Sequence, residues 1–310
     1  MTDAASPDIS NVAVIGSGIL GAQIAIQAAC FDYSVLIYDP VEGAFENTVK
    51  NVRAIMDSSE RGPVVSPERW EEGTRKVKVV ETLEEVVQDA DLVIEVVPED
   101  LELKRKVFAD LDRLAPEKAI LATNSSSIPV SRIESATKRP EKCLNLHFYM
   151  PVNGINLVDI MGGTQTAPAV FEAGRQWIKS VGCIPLTVKK EIYGFCFNRV
   201  WRAVKREVLH MWAEGYVDFR DVDRAWMVAY GTSIGPFGLM DATGLNVTYA
   251  VENSYYKESG DERDRPPDAL GEMVEKGELG IKTGKGFYSY PDPEFASPDF
   301  LTTEKARSGK

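Results

Sequence analysis

The sequence predicts an α/β fold in which a doubly wound, mostly parallel β-sheet is followed by an all-α C-terminal domain. Two observations predict it. From about residue 11 to residue 188, short β-branched runs alternate with longer helical patterns. Such alternation is typical of βαβ units that build a parallel sheet covered on both faces. After about residue 190 the strand-like runs end, and a long pattern of helical apolar spacing begins at residue 195.

The predicted strands are short runs dominated by Val, Ile and Leu, at 12–15, 35–38, 77–80, 92–97, 120–123, 144–148, 157–160 and 184–188. Helical patterns lie between them at about 19–31, 41–57, 82–89, 100–114 and 168–181. A further helical pattern at 195–214 opens the second domain, and later ones are interrupted at Gly235-Pro236 and Pro266-Pro267. We therefore expect domains at 1–190 and 191–292, followed by a polar tail at 293–310.

The composition argues against several classes of function. The chain has 310 residues and a formal net charge of −12, which disfavours nucleic acid or an anionic membrane surface as the main partner. Its two histidines and four cysteines lack metal-ligand spacing, so we expect no metal site and free thiols. No run reaches the roughly 18 apolar residues of a membrane helix. The polar, acidic first ten residues are unlike a signal peptide, and we expect a cytoplasmic protein.

A glycine motif directly after the first predicted strand indicates a dinucleotide site of the Rossmann type. It is formed by Gly16, Ser17, Gly18, Ile19, Leu20 and Gly21, at the start of a predicted helix. The glycines permit the tight turn and the approach of a diphosphate, which the N terminus of the helix attracts. Asp39 ends the second strand, where it would accept from the adenosine ribose and repel a 2′-phosphate. The motif therefore predicts NAD as the cofactor; a strand–turn–helix without ligand is the alternative.

His147 is the candidate base, because it lies in a predicted strand near the level where the other strands end. A lone histidine in a strand is also compatible with a core role, and Asp159 in the next strand decides between them through the register. A two-residue hairpin at Asn153-Gly154 would put Asp159 on the other face. A three- or five-residue loop centred on Asn153 pairs residue 147 with residue 159, and Pro151 favours the wider loop because proline cannot donate to the ladder. We predict the second register.

Several stretches resemble the 3-hydroxyacyl-CoA dehydrogenase family and follow its order along nearly the whole chain. They are GSGILG, VPEDLELKRKVF, TNSSSI, LHFYMPVNGINLVDIM, YGFCFNR, GPFGLMDATGLN and GIKTGKGFYSY. The resemblance implies an N-terminal NAD domain and a helical domain that commonly mediates dimerisation, so we expect a homodimer. It also implies NAD-dependent oxidation of an L-3-hydroxyacyl thioester to the 3-keto compound.

The resemblance assigns roles by position. His147 matches the general base, and Asp159 stands where the family has a glutamate that orients it. Ser126 matches a serine that hydrogen-bonds the reacting oxygen, and Asn198 an asparagine that completes the site. A turn or cap residue is the alternative for Ser126, and a helix N-cap for Asn198.

Three further positions match residues that line the NAD site in the family. They are Glu99, Lys104 and Lys282.

The sequence also departs from the family in ways that bear on the substrate. The usual HFFNP reads HFYMP here, so Met150 replaces a polar asparagine. Asp159 is one methylene shorter than glutamate. No residue clearly matches the serine and lysine that hold CoA, for which Lys50, Arg53 and Arg61 are only nearby substitutes.

Arg202 lies one helical turn after Asn198 and would share its face. Its guanidinium suits a substrate carboxylate or a CoA phosphate; a solvated helix face is the alternative.

Three hypotheses follow. The first is a dehydrogenase of a 3-hydroxyacyl-CoA. The second is a relative acting on a free small 3-hydroxy acid, as branches of the family do with carnitine or gulonate. The third is a non-catalytic NAD-binding or structural relative, which the joint presence of serine, histidine, carboxylate and asparagine disfavours.

Overall fold

A computed structural model describes residues 8–56 and 63–302. The chain divides into two compact units, with the division after Cys196. Arg61 and the side chain of Arg53 lie outside the described residues, so the structure does not bear on their proposed contacts with CoA. None of the described helices is both long and apolar enough to cross a membrane. The four cysteines are free, and only Cys196 is exposed.

The first unit is built on one eight-stranded sheet with the order β3-β2-β1-β4-β5-β6-β7-β8. Its strands are β1 Asn11–Ile15, β2 Ser34–Tyr38, β3 Lys78–Val80, β4 Leu92–Glu95, β5 Ile120–Thr123, β6 Cys143–Phe148, β7 Leu157–Gly162 and β8 Ile184–Val188. Among the described strands, only β6 and β7 pair antiparallel. The predicted doubly wound, mostly parallel sheet is thus confirmed.

Helices cover both faces of this sheet. They are α1 Ile19–Cys30, α2 Ala44–Met56, α3 Pro67–Lys76, α4 Leu83–Val87, α5 Leu101–Leu114 and α6 Pro168–Ser180. Strand β1 shows why two layers form, since Val12 and Val14 enter one apolar core while Ala13 and Ile15 enter the other. Alternation along a strand that is buried on both faces produces a nearly continuous apolar run.

Helix α3 is the element that the sequence prediction missed. Ser66 caps it through a hydrogen bond from the backbone N–H of Arg69, and Pro67 occupies its first turn. The helix is strongly charged, and only Trp70 and Gly73 are buried. A Cβ at Gly73 would overlap the Cys30 thiol, so close packing on α1, rather than a broad apolar face, holds this helix.

The β6–β7 hairpin has the predicted register: His147 pairs with Asp159. Beyond the named strands, the backbone N–H of Tyr149 still donates to the Leu157 carbonyl at 3.2 Å. This bond extends the pairing by one residue past β6, and the connection between the named strands, residues 149–156, is longer than the three- or five-residue loop predicted from the sequence. Its Asn153 side chain is buried and bonds both backbone groups of Val65, which anchors the loop to the segment before α3.

The second unit is helical, as predicted. Its helices are α7 Phe197–Ala213, α8 Phe219–Tyr230, α9 Pro236–Thr243, α10 Leu245–Ser259 and α11 Asp268–Glu275. Its core contains Phe237 and Phe287, whose ring centroids lie 4.6 Å apart. The buried Asp241 accepts from the backbone N–H groups of Phe287 and Tyr288. This contact joins the motifs GPFGLMDATGLN and GIKTGKGFYSY inside the helical unit.

Arg202 is neither placed to contact an anionic substrate nor part of a solvated helix face, the two roles considered from the sequence. Both roles require an accessible guanidinium. The side chain is buried, with its guanidinium 2.7 Å from the Asp264 carboxylate and 3.5 Å from that of Glu252. It also lies over the Tyr255 ring. Arg202 therefore belongs to an ion-pair cluster inside the helical unit, and we do not propose it as a substrate contact.

The described part of the segment expected as a polar tail contacts α8. Phe300 is buried, its carbonyl accepts a hydrogen bond from Arg224, and its ring lies beneath that guanidinium. Arg220 pairs with Glu294 in the same segment. These contacts fix residues 294–300 on the helical unit.

Candidate active site

The glycine turn after β1 has the shape that a diphosphate requires. Gly16 has a φ of +105°, and a Cβ there would lie 2.7 Å from the Val96 carbonyl oxygen. A Cβ on Gly21 would overlap the Gly16 carbonyl, whereas Gly18 faces open space. Two of the glycines thus allow the backbone to pack closely, and the third leaves room for a ligand against the main chain.

The N terminus of α1 is available to an anion. Gly18 precedes the helix, no described side chain caps it, and its first turn contains no acidic residue. The orphan N–H groups of a first turn and the helix dipole attract a phosphate. The residues present therefore fit the diphosphate of a dinucleotide.

Asp39 lies beside this turn at the end of β2. One of its carboxylate oxygens accepts from the backbone N–H of Ser17 at 2.8 Å and from its hydroxyl at 3.0 Å, and the other accepts from Val41 N–H. It lines a cleft of about 680 Å³ together with Glu42, Glu46 and Glu81. An acidic cleft of this kind can accept ribose hydroxyls and repels an added phosphate.

We expect Asp39→Ala to relax the preference for NAD over NADP, because the variant loses the charge nearest the turn. The ratio of kcat/KM for the two cofactors should fall about tenfold, which corresponds to about 1.4 kcal/mol. Asp39→Asn should act in the same direction while keeping an acceptor for Ser17. Glu117→Gln, an exposed substitution with the same change of net charge, is the control. An unaltered cofactor ratio in both Asp39 variants would refute this role.

Lys104, which the resemblance places at the NAD site, is buried. Its ammonium lies 2.7 Å from the Glu95 carboxylate and 3.4 Å from Glu99, and it donates to the Val97 carbonyl. Glu95 ends β4, is fully buried, and also accepts from the Thr123 hydroxyl and Val97 N–H. Sequence reasoning missed Glu95, although a carboxylate closing the apolar run LVIE was a visible anomaly.

Glu99 organises the loop after β5. A single carboxylate oxygen of Glu99 accepts from the hydroxyls of Ser125 and Ser127, both at 2.6 Å, and from the backbone N–H of Ser127. Burial would raise the pKa of Glu99, but the Lys104 ammonium and the two hydroxyls outweigh burial and hold the pKa below its ordinary value. Glu99 is therefore ionised at neutral pH, and this charge fixes the serine loop.

Ser126 is the exposed residue between these two serines. Its neighbours are bonded to Glu99, and the preceding Asn124 accepts from the backbone N–H of Phe148 at 2.9 Å. Asn124 was not singled out from the sequence. Through this bond it joins the serine loop to the end of β6.

His147 lies two residues past Asn145, the last residue of β6 that pairs with β5. Its Nδ1 is 3.2 Å from Asp159 Oδ2, and both side chains are buried. The Tyr149 hydroxyl donates to the same oxygen at 2.6 Å. Phe195 stacks on the imidazole with a centroid distance of 5.2 Å and an interplanar angle of 15°. Neither Tyr149 nor Phe195 was among the site residues predicted from the sequence.

The remaining predicted positions belong to the helical unit, except Met150. Asn198 is the second residue of α7, inside the helix rather than at the capping position before it. Lys282 is exposed and donates to Asn246. The roles that the resemblance gives Asn198 and Lys282 stay predictions. Met150 is 48% exposed in the loop after β6.

Comparisons with known proteins cover most of both units. Residues 11–192 match the NAD binding domain of 3-hydroxyacyl-CoA dehydrogenase, and residues 194–290 match its C-terminal domain. A solved structure of (S)-3-hydroxybutyryl-CoA dehydrogenase from Ralstonia eutropha superposes with a TM-score of 0.81 at 29% identity, covering 92% of this chain and all of that one.

Two curated relatives differ in the substrates that their names state. The 3-hydroxybutyryl-CoA dehydrogenase of Clostridioides difficile is 34% identical over 285 residues, covering 90% of this chain and 99% of that protein. The 5-formyl-3-hydroxy-2-methylpyridine 4-carboxylate 5-dehydrogenase of Mesorhizobium japonicum is 30% identical over 302 residues, covering 96% of each. The two matched domains and the extent of these relatives show that the chain belongs to the 3-hydroxyacyl-CoA dehydrogenase family of NAD-dependent oxidoreductases.

Proposed function

We propose that the protein interconverts an L-3-hydroxyacyl-CoA and the corresponding 3-ketoacyl-CoA, with NAD as the cofactor and His147 as the base. The pairing of His147 with the buried Asp159 is the observation that carries this proposal. A secondary alcohol loses a hydride and a proton on oxidation, and an imidazole is suited to take the proton near neutral pH. NAD, when bound, accepts the hydride.

Asp159 prepares His147 for this step. Because Asp159 accepts at Nδ1, it favours the tautomer with the proton on Nδ1 and leaves Nε2 to take the hydroxyl proton of the substrate. The carboxylate also stabilises the imidazolium that forms, as in other oriented carboxylate–histidine pairs. In the reverse direction the imidazolium returns the proton to the carbonyl oxygen.

Ser126 is proposed to donate to the substrate oxygen as that oxygen gains negative character. Its exposure, next to neighbours already bonded to Glu99, supports this assignment. Ser126→Ala is expected to lower kcat, followed by NADH absorbance, by about tenfold or more, since loss of one donor to a developing oxyanion typically costs on the order of 10²–10³.

A second candidate substrate is a free hydroxy carboxylate. The relative from Mesorhizobium japonicum is named for a pyridine carboxylate rather than a thioester and matches 96% of this chain. Met150 also stands, exposed, where the family has asparagine, and the usual CoA-binding residues have no clear counterpart.

A substrate panel tests the two candidates. L-3-Hydroxybutyryl-CoA and free 3-hydroxybutyrate are compared with NAD, and acetoacetyl-CoA and acetoacetate with NADH, by nicotinamide absorbance. The proposal expects kcat/KM for each thioester to exceed that of its free acid by about a hundredfold or more, because binding the remote CoA moiety lowers the barrier. Turnover of the free acids alone would establish the second candidate. Absence of turnover with all four compounds would contradict both.

A further inference from the structure

We infer that Tyr149 is a positioning residue for His147. Its hydroxyl holds the short Asp159 side chain in the orientation in which the carboxylate can hydrogen-bond the imidazole. The inference rests on the proposed role of His147 as base. It adds a residue outside the histidine–carboxylate pair and predicts that residues 149 and 159 act as one unit.

The bond lengths show how the three groups share one acceptor. Asp159 Oδ2 receives the Tyr149 hydroxyl at 2.6 Å and faces His147 Nδ1 at 3.2 Å. Oδ1 of the same buried carboxylate has no hydrogen-bond partner among the described residues. The tyrosine contact is the shorter one, so it is the main restraint on the direction in which the carboxylate points. Hydrogen bonds to an ionised group are stronger than neutral ones.

The hairpin register brings the three groups together. His147 stands directly opposite Asp159, and Tyr149 lies two residues along on the same face, in the diagonal position that a long aromatic side chain reaches. The Tyr149 ring contacts the imidazole edge at a centroid distance of 4.7 Å. Phe195 stacks on the imidazole, with a backbone φ of +54° that is unusual for a residue other than glycine. The imidazole is thus held by its ring contacts as well as by its carboxylate.

The length of the aspartate side chain explains why the Tyr149 hydroxyl is needed to orient the carboxylate. Aspartate places its oxygens one methylene nearer the backbone than glutamate, so Oδ2 meets Nδ1 only at the long end of hydrogen-bond range. The Tyr149 hydroxyl is an additional donor that holds Oδ2 on the side of the imidazole. It thereby gives aspartate the orientation that the longer glutamate side chain would reach unaided. Tyr149 and Asp159 are both departures from the family pattern, and they meet at this one oxygen.

Four proteins test the inference: the wild type, Tyr149→Phe, Asp159→Glu and Tyr149→Phe/Asp159→Glu. Each single variant is expected to lower kcat about tenfold with little change in KM, because the first loses the restraint and the second forces a longer carboxylate against the hydroxyl. The double variant is expected to recover to within about threefold of the wild type. A double-mutant cycle isolates such coupling between neighbours. If the two losses multiply instead, the inference is overturned.

A second readout does not depend on turnover. The chain has two histidines, so the protein labelled with ¹⁵N-histidine shows two imidazoles, and His210→Gln assigns them. We expect the neutral His147 to hold its proton on Nδ1 in the wild type, to lose this bias in Tyr149→Phe and to regain it in the double variant. An unaltered tautomer in Tyr149→Phe would overturn the inference. A tautomer that follows this pattern while kcat stays unchanged supports the positioning role and overturns His147 as the base.

Tyr33→Phe is the matched control for the loss of one tyrosine hydroxyl. Its hydroxyl bonds Ser180 at 2.6 Å in an exposed position, and its removal is expected to change neither kcat nor the tautomer of His147. Thermal unfolding of each variant establishes that it is folded. If Tyr149→Phe alone is unstable, Asp159→Glu is compared with the double variant: recovery of kcat on removal of the hydroxyl supports the inference, and a further loss overturns it.

Discussion

Replacement of His147 with alanine is expected to lower kcat by about 10³-fold, within the range of 10²–10⁴ typical of a general acid–base group. The variant loses the group that takes the substrate proton, and no other imidazole in the chain is suitably paired with a buried carboxylate. NAD binding should be retained, because the glycine turn and Asp39 lie on other strands. Absorbance of NADH measures turnover, and calorimetric titration measures the Kd for NAD.

His210→Ala is the control for this substitution. His210 lies on α7, with its side chain 34% exposed and 3.9 Å from Glu214. It should lose neither turnover nor NAD binding. If His147→Ala instead retained most of its activity, the base would have to be sought elsewhere in the chain.

Lys104→Met is expected to destabilise the first unit by about 3–5 kcal/mol, the typical cost of removing one partner from a buried ion pair. The Lys104 side chain is 1% exposed, and the Glu95 side chain that would remain is fully buried. Thr123 and Val97 still donate to Glu95 in the variant, but they do not neutralise the charge. Urea unfolding followed by circular dichroism measures the loss.

Lys106→Met provides the comparison on the same helix, since Lys106 is exposed and such surface changes typically alter stability by about 0.5 kcal/mol or less. Glu95→Gln combined with Lys104→Met should regain part of the lost stability. The family resemblance places Lys104 at the NAD site. If Lys104→Met weakened NAD binding and left the unfolding free energy equal to that of Lys106→Met, that assignment would hold and the structural interpretation would fail.

Much of the fold could be predicted because the strands of a buried parallel sheet leave an unmistakable pattern. All eight predicted strands are present, with ends that differ by a few residues at most. Helix α3 could not be predicted in the same way, because its burial depends on Trp70 and Gly73 alone. A glycine packed against the Cys30 thiol becomes informative only when the neighbouring helix is known.

In the candidate site, too, contacts set by local sequence could be predicted, and contacts with distant residues could not. His147 and Asp159 could be paired from the sequence because strand register follows from loop length and from Pro151. Phe195 lies far from His147 in sequence, and no pattern in the residues around it predicts that its ring stacks on the imidazole. Lys104 carried a family role, but whether a lysine on a helix faces solvent or a buried glutamate depends on the strand beneath it. Residue type and spacing on the helix therefore do not predict the contact of Lys104 with Glu95.

The antiparallel pairing of β6 and β7 also affects the entropic cost of closing the fold. His147 and Asp159 are 12 residues apart, whereas Val12 in β1 pairs with Leu92 in β4, 80 residues along the chain. Since the entropy of loop closure grows as (3/2)RT ln n, the hairpin closes at a cost about 1.7 kcal/mol lower than the β1–β4 contact. The hairpin that carries His147 and Asp159 is therefore closed by a short stretch of chain, at a lower entropic cost than the pairing of β1 with β4. The register of His147 with Asp159 thus depends on a contact that is local in the chain, whereas the centre of the sheet depends on residues 80 positions apart.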